Sequence, residues 1–219
     1  MLYIVATPIG NMQDLSQRAK STLDMVDIVL AEDTRTTGSL LAKISLKKKL
    51  LSYNDKNKVK RTTEAIQYLV QGSEIALVSE NGTPLISDPG FYLVRAAIMQ
   101  GIQVVPIPGP SAVTTALMAA GLPTNEFTFV GFLPKGPGRK QKLLEKLQGE
   151  ARTFVFYESP YRIKKTISLM AEIMPEVRVA LCRELTKKFE QIIRGTAKAL
   201  AGQEIKEKGE FTVVVSPQK

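Results

Sequence analysis

The 219-residue chain carries a net charge of +9, and its 44% hydrophobic and 23% charged residues are ordinary values for a globular protein. It contains no histidine and a single cysteine, which excludes imidazole catalysis, histidine-ligated metal sites, a thiolate zinc site and an internal disulfide. No apolar run approaches the ~20 residues of a membrane span and no basic segment precedes the first apolar residues, so we expect a cytoplasmic protein that binds no membrane.

Strand-like and helical segments alternate through the first half of the chain. We predict strands at residues 2–6, 27–31, 50–53, 75–79 and 103–107, and helices at 15–26, 58–70 and 89–100. This alternation predicts a mainly parallel sheet with helices on both faces. Residues 106–110 hold three prolines and a glycine, which cannot lie inside a helix or a central strand. We therefore predict that residues 1–109 form an N-terminal α/β domain.

Residues 110–219 are predicted to form a second α/β domain. Its pattern indicates helices at 112–120, 139–147 and 162–173, and strands at 127–133, 153–157, 178–182, 189–194 and 211–215. The link between the strands at 178–182 and 189–194 is six residues long, which is too short for a parallel crossover. We therefore expect this pair to be antiparallel and the second sheet to be mixed.

Turns rich in glycine and proline follow three strands of the first half, at residues 6–11, 79–90 and 106–112. Open α/β sheets bind ligands at the carboxyl ends of their strands, so these turns predict one small-molecule crevice. The chain has no P-loop sequence and no Gly-x-Gly-x-x-Gly after the first strand, which argues against a P-loop nucleotidase and an ordinary dinucleotide site.

Basic residues are concentrated in two segments. Residues 43–61 contain eight lysines and arginines against one acid, and residues 135–146 contain five against one. Such runs are usually solvated surfaces, but because they are clustered here, binding to a nucleic acid and a solvated surface are equally good interpretations.

Eight short motifs, in chain order, resemble the tetrapyrrole methylase superfamily, and within it the branch that methylates ribosomal RNA. They are YIVATPIGN (3–11), AEDTR (31–35), GTPLISDPG (82–90), PGPSA (108–112), GFLP (131–134), FYESP (156–160), RELTK (183–187) and KGEF (208–211). The resemblance implies two α/β domains with S-adenosylmethionine between them, no metal, and a homodimer. It also implies methylation of a cytidine ribose 2′-hydroxyl in the 16S rRNA of the small ribosomal subunit.

The resemblance also implies which residues surround the methyl donor. They are Pro8, Ile9, Gly10, Asn81, Gly82, Thr83, Ile86, Ser111, Ala112, Glu158 and Leu185. The chain departs from the family pattern at residues 52–58, where the family usually carries a histidine, and at Glu80 and Asn81, where it usually has Asp-Ala. The first departure removes any histidine as a base.

Loss of the hydroxyl proton during methyl transfer is helped by a nearby base. Asp33, at the end of a predicted strand, is the first candidate and Glu184 is the second. A helix cap is the favoured alternative for Asp33, at a helix that starts near Thr34. Because a carboxylate is a weak base, alignment of the reactants is an alternative source of rate.

Arg35 is expected to orient the sugar-phosphate beside Asp33. The side chains predicted to contact RNA are Arg35, Lys47, Lys48, Lys49, Lys56, Arg139, Lys140, Arg183 and Lys187. For Arg35 and Arg183, the alternative is an ion pair with the neighbouring acid.

Two other functions remain open from the sequence. The same fold methylates tetrapyrroles and other small molecules, and fold alone does not exclude that activity. The basic segments favour RNA over it. The substitutions at Asn54, Lys56, Glu80 and Asn81 leave room for a non-catalytic RNA-binding assembly factor.

Overall fold

The computed structural model describes residues 1–217, which fall into two compact units. Unit 1 spans Met1–Ser111 and unit 2 begins at Ala112. The division lies just beyond the boundary predicted from the proline-rich segment 106–110.

Unit 1 contains a parallel sheet. Its strands are β1 (Leu2–Val5), β2 (Ile28–Ala31), β3 (Lys49–Ser52), β4 (Ile75–Val78) and β5 (Val104–Ile107). Their spatial order is β3-β2-β4-β1-β5, and each neighbouring pair runs parallel. The predicted parallel sheet is confirmed.

Helices cover both faces of this sheet. They are α1 (Gln17–Met25), α2 (Thr34–Lys43), α3 (Lys58–Val70) and α4 (Phe91–Met99), with a 3-10 turn at Met12–Asp14. Successive side chains of a strand point to opposite faces, so Val29 packs in one apolar cluster and Leu30 in another. Burial on both sides explains why these strands are apolar at nearly every position.

Unit 2 contains a mixed sheet. Its elements are α5 (Ala112–Ala120), β6 (Phe127–Phe132), α6 (Pro137–Gly149), β7 (Thr153–Glu158), α7 (Ile163–Ile173), β8 (Arg178–Arg183), β9 (Gln191–Thr196), α8 (Ala197–Ala201) and β10 (Phe211–Ser216). The order is β6-β7-β10-β8-β9. Strands β6 and β7 are parallel and the other pairs are antiparallel, as predicted for β8 and β9.

The main core of unit 2 brings together helices α6, α7 and α8 and one face of the sheet. Phe154 and Phe156 of β7 and Ile163 and Ile167 of α7 are fully buried there. Helix α5 packs mainly on β8, β9 and β10. None of the helices within residues 1–217 is long and apolar enough to cross a bilayer.

Candidate functional site

Three turns meet at the carboxyl edge of the unit 1 sheet. Thr7, after β1, and Gly82, after β4, exchange backbone hydrogen bonds of 2.8 and 3.0 Å. The Thr83 hydroxyl donates a 3.0 Å hydrogen bond to the Pro110 carbonyl, which ties the turn after β4 to the segment after β5. The turns that the sequence analysis singled out therefore form one continuous edge.

Two glycines allow the turns to approach this closely. Gly82 has a φ of +85°, and a Cβ there would lie 3.0 Å from Ile9 Cγ2 and 3.4 Å from the Pro110 carbonyl oxygen. A Cβ at Gly109 would lie 2.9 Å from the Cβ of Ala6. A larger residue at either position would force the backbone segments apart.

The predicted donor-binding residues of unit 1 lie on these turns. They are Pro8, Ile9, Gly10, Asn81, Gly82, Thr83, Ile86 and Ser111. Leu85 and Ser87 have positive φ values of 72° and 67°, a strain that is common in loops that clamp ligands. The remaining three predicted residues, Ala112, Glu158 and Leu185, belong to unit 2.

A pocket of about 590 Å³ lies beside the turns in unit 1, a size that suits a small molecule or one nucleotide. Its lining includes Pro8, Gly10 and Asn81 from the turns, and the charged residues Asp33, Arg35, Lys43 and Glu80. Cations and anions at one pocket suit a ligand with both a phosphate and neutral hydrogen-bonding groups.

Asp33 is the N-cap of α2, which confirms the alternative interpretation of this residue. Its carboxylate accepts a 2.7 Å hydrogen bond from the Arg35 backbone N–H and lies 2.9 Å from Arg35 Nη2. The side-chain hydrogen bond from Arg35, followed by the backbone one, lowers the pKa of Asp33 to about 2. Asp33 is therefore an ionised carboxylate that pairs with the exposed Arg35 side chain and accepts protons poorly.

Asp88 is a further carboxyl group at this edge, in the turn after β4. Burial, followed by the nearby charge of Glu32, raises the pKa of Asp88 to about 6, although a Ser79 hydrogen bond opposes the shift. Burial also raises the pKa of Glu32, with Glu80 adding to the effect. Glu32 and Glu80 follow β2 and β4, and Asp88 lies further along the turn after β4. Because the carboxyl ends of parallel strands meet at one edge, the positions of these acids after β2 and β4 could have indicated that they lie close together.

Glu184 lies in a tight turn of unit 2 between β8 and β9. Its carboxylate accepts 3.0 Å hydrogen bonds from Lys187 Nζ and from the Glu210 backbone N–H. Burial raises the pKa of Glu184, but these two bonds outweigh it and the pKa is lowered. Arg183 is buried and donates to the Lys208 carbonyl and the Gln191 side chain, so its alternative partner Glu184 receives no direct bond from it.

Glu158, at the end of β7, is 2% exposed and has its carboxylate surrounded by donors. Oε2 lies 3.1 Å from Lys140 Nζ and accepts a 2.7 Å bond from the Thr166 hydroxyl, while Oε1 lies 2.6 Å from Arg162 Nη2. Lys140, predicted to contact RNA, is itself 6% exposed. Its ammonium is engaged inside unit 2, and Lys140 is therefore removed from the set of RNA-contacting residues.

The other basic side chains differ in whether the chain itself already binds their charged groups. The exposed ones without an internal role include Lys47, Lys56 and Arg139. The Lys48 ammonium donates to the Asp24 carbonyl, and Lys49 Nζ lies 4.5 Å from the Tyr68 ring centroid. Lys187 bridges Glu184 and Glu210.

Comparison with known proteins gives consistent findings. The family model of the tetrapyrrole (corrin/porphyrin) methylases matches residues 1–201. A Halalkalibacterium halodurans protein named ribosomal RNA small subunit methyltransferase I is 46% identical over 98% of this chain and 75% of its own length. The Thermotoga maritima protein of that name is 45% identical over 98% of this chain and 97% of its own length.

The fold of this chain is also found in solved structures. Cobalt precorrin-4 methyltransferase, a cobalamin biosynthetic enzyme, superimposes with a TM-score of 0.71 at 19% identity, over 98% of this chain and 94% of that chain. At this identity the likeness establishes the fold alone.

Proposed function

This chain belongs to the tetrapyrrole (corrin/porphyrin) methylases, and from this premise we propose that it methylates the ribose 2′-hydroxyl of a cytidine in 16S rRNA. S-adenosylmethionine is the methyl donor. The names of the relatives support small-subunit rRNA as the substrate. The eight sequence motifs support the cytidine and its 2′-oxygen as the target.

The observation that carries the proposal is the pocket beside the turns of unit 1. Arg35, fixed by Asp33, and Lys43 present cations to it, and the turn residues Gly10 and Asn81 line it as well. A ribose flanked by phosphates would meet cations on one side and backbone turns on the other. This geometry would place a 2′-oxygen beside the predicted donor residues.

The residues present fit a sulfonium donor. Burial and the negative charge of Glu80 raise the pKa of Glu32, and burial and the charges of Glu32 and Glu80 raise the pKa of Asp88, so a cation nearby would relieve this repulsion. In unit 2, Thr186 Oγ1 is one of the buried oxygen atoms within residues 1–217 that lack a hydrogen-bond partner, and it adjoins the predicted donor residue Leu185. S-adenosylmethionine supplies an electrophilic methyl group, and the chain supplies alignment and a proton acceptor.

Asp88 does not line the pocket itself but shares a hydrogen bond with Ser79, which does, and we infer that it accepts the hydroxyl proton. A base works best when its pKa lies near the operating pH, and Asp88 has a pKa of about 6. Asp33 and Glu184, which the sequence suggested as bases, both have lowered pKa values and therefore position neighbouring cations. With the donor bound at this edge, methylation of the 2′-oxygen would release the thioether, and Asp88 would take up the hydroxyl proton.

The proposal is tested by transfer of labelled methyl groups from S-adenosylmethionine to small ribosomal subunits that lack the modification. Nuclease digestion is expected to place the label on a cytidine, and resistance of the adjacent phosphodiester to alkali is expected to place it on the 2′-oxygen. The same assay with protein-free 16S rRNA shows whether the enzyme prefers the assembled subunit or the free RNA. Label on a base, or transfer to a tetrapyrrole in preference to rRNA, would overturn the assignment.

Two expectations accompany this function. A protein that modifies ribosomal subunits works in the cytoplasm, and family resemblance favours a homodimer. Light scattering of the purified chain measures its oligomeric state directly.

A further inference from the structure

Three aromatic rings form a partly exposed cluster on the edge strand β6 and its neighbour β7, which we call the aromatic platform (Phe129, Phe132 and Tyr157). The ring centroids of Phe129 and Tyr157 lie 5.0 Å apart and those of Phe132 and Tyr157 lie 5.4 Å apart, both in edge-to-face geometry. Phe132 is 57% exposed, so a large part of its ring is open to a partner although its edge packs on Tyr157.

An irregularity in β6 places these rings on one face. Phe129 pairs with Val155 and Phe132 with Tyr157, so the register shifts by one residue between them. Gly131, within the shift, has a φ of +67°. In a regular strand, residues three positions apart point to opposite faces, so the bulge is what brings Phe132 to the same face as Phe129. The intervening residue of β7, Phe156, faces the core, so the platform lies on the other side of the sheet.

Two exposed cations follow the platform in the link to α6 and its first turn. They are Lys135 and Arg139. The nearest atoms to a Cβ built at Gly136 are the guanidinium nitrogens of Arg139, at 3.7 and 3.9 Å, so this charge folds back over the link.

The buried carboxylate of Glu158 fixes this arrangement. Arg162 bonds Glu158 and also donates a 3.1 Å hydrogen bond to the Leu133 carbonyl, directly after Phe132. Lys140 anchors the start of α6 to the same carboxylate. The platform and its cations are therefore held in place before any partner arrives.

We propose that the aromatic platform stacks an unpaired base of the RNA substrate while Lys135 and Arg139 hold its phosphates, an inference that rests on the proposed function. Exposed aromatic rings beside cations are the features by which proteins bind single-stranded nucleic acid. A second copy of this chain, packed on the platform about a two-fold axis through it, would bring the basic side chains of both copies together, which their charges disfavour.

The test uses Phe132→Ala and Phe132→Leu, with Phe132→Tyr as the matched control that keeps a ring. Fluorescence anisotropy with a labelled single-stranded oligoribonucleotide and with its duplex measures affinity. Loss of one stack predicts roughly 5- to 150-fold weaker single-strand binding in the Ala and Leu variants, near wild-type binding in the Tyr variant, and a smaller change for the duplex. Lys135→Glu is expected to weaken binding of both the single strand and the duplex and to reduce the salt dependence of binding.

Calorimetry with S-adenosylmethionine shows that the variants are folded, since none of these residues is assigned to the donor. If the wild type methylates small subunits and the Leu and Ala variants bind the single strand as tightly as the Tyr variant, the platform proposal is wrong and the function stands. A wild type that binds no RNA and methylates none overturns the function itself. If light scattering shows that Phe132→Leu splits a dimer without changing RNA affinity per chain, the face is a contact between copies and the proposal is likewise wrong.

Discussion

Glu158→Gln is expected to lower the free energy of unfolding of unit 2 by about 3–5 kcal/mol. The carboxylate is 2% exposed and faces Arg162 at 2.6 Å and Lys140 at 3.1 Å. Glutamine keeps the shape but leaves two cations without their shared anion. Removal of one member of a buried ion pair costs this much because the remaining charge stays desolvated.

Lys140→Met is the matched control for this prediction. It removes one partner, but Glu158 keeps Arg162 and the Thr166 hydroxyl, and methionine fills the space of the lysine stem. We expect a smaller loss, of about 1–3 kcal/mol, because the carboxylate retains charged and neutral donors. The two variants should be strongly non-additive, since they act on one network.

The single cysteine provides the assay. Cys182 is fully buried in unit 2, and burial raises the pKa of its thiol to about 11. A thiol reagent therefore labels it when unit 2 opens, and labelling across a urea series measures the stability of this unit alone. Equal midpoints for the wild type and Glu158→Gln would refute the reasoning.

The same variants test the donor contact that the sequence implied for Glu158. At a temperature where both are folded, calorimetry with S-adenosylmethionine compares Glu158→Gln with Lys140→Met. Weaker binding in the glutamine variant alone would support a contact with the donor. Equal affinities would make Glu158 an anchor of the surrounding chain.

Further predictions concern the sheet edge of unit 1 and the first basic segment. Gly82→Val should abolish donor binding in a folded protein, because a Cβ there meets Ile9 and the Pro110 carbonyl; unchanged calorimetric affinity would contradict this placement. Asp33→Asn should slow methyl transfer because Arg35 loses the carboxylate that positions it, while the pH profile of the transfer rate should stay as in the wild type. Asp88→Asn should slow transfer and remove a rise in rate through about pH 6, and a profile like the wild type's would exclude Asp88 as the base. The raised pKa of Asp88 also means that the free energy of unfolding falls as pH rises from about 4 through about 6; urea titrations should show that fall in the wild type and a smaller one in the asparagine variant. Changing Lys47, Lys48 and Lys49 to Glu should weaken RNA binding and flatten its salt dependence while donor binding survives, and an unchanged salt slope would make the segment a solvated face.

Much of the fold could be predicted because local patterns determine it. The unit 1 strands have apolar centres, and β1, β4 and β5 end in turns that contain glycine or proline, so the predicted positions lie within one or two residues of the observed ones. Strand β9 was misplaced by two residues, since the turn before it is longer than expected. That turn is held by a 2.6 Å hydrogen bond from the Thr186 backbone N–H to the Glu190 carboxylate, and no pattern in the sequence predicts it.

The site could be predicted only where it is made of turns. Lys140 looked like part of a basic surface because its neighbours in sequence are exposed, but a carboxylate 18 residues away draws it into the core. The raised pKa of Asp88 has the same origin, since the acids around it come from different strands. Burial and charge at these positions depend on distant segments, which composition and spacing do not reveal.

The first and last described strands, β1 and β10, are both interior strands of their sheets. Strand β1 lies between β4 and β5, and β10 lies between β7 and β8. During synthesis, β1 can pair with both of its neighbours only after about a hundred further residues have been made. The unit 2 sheet is complete only once β10, which ends at Ser216, has been made. Deletion of a few residues at either end would therefore cut a sheet in two, so fusion partners belong beyond these strands, joined through a flexible spacer.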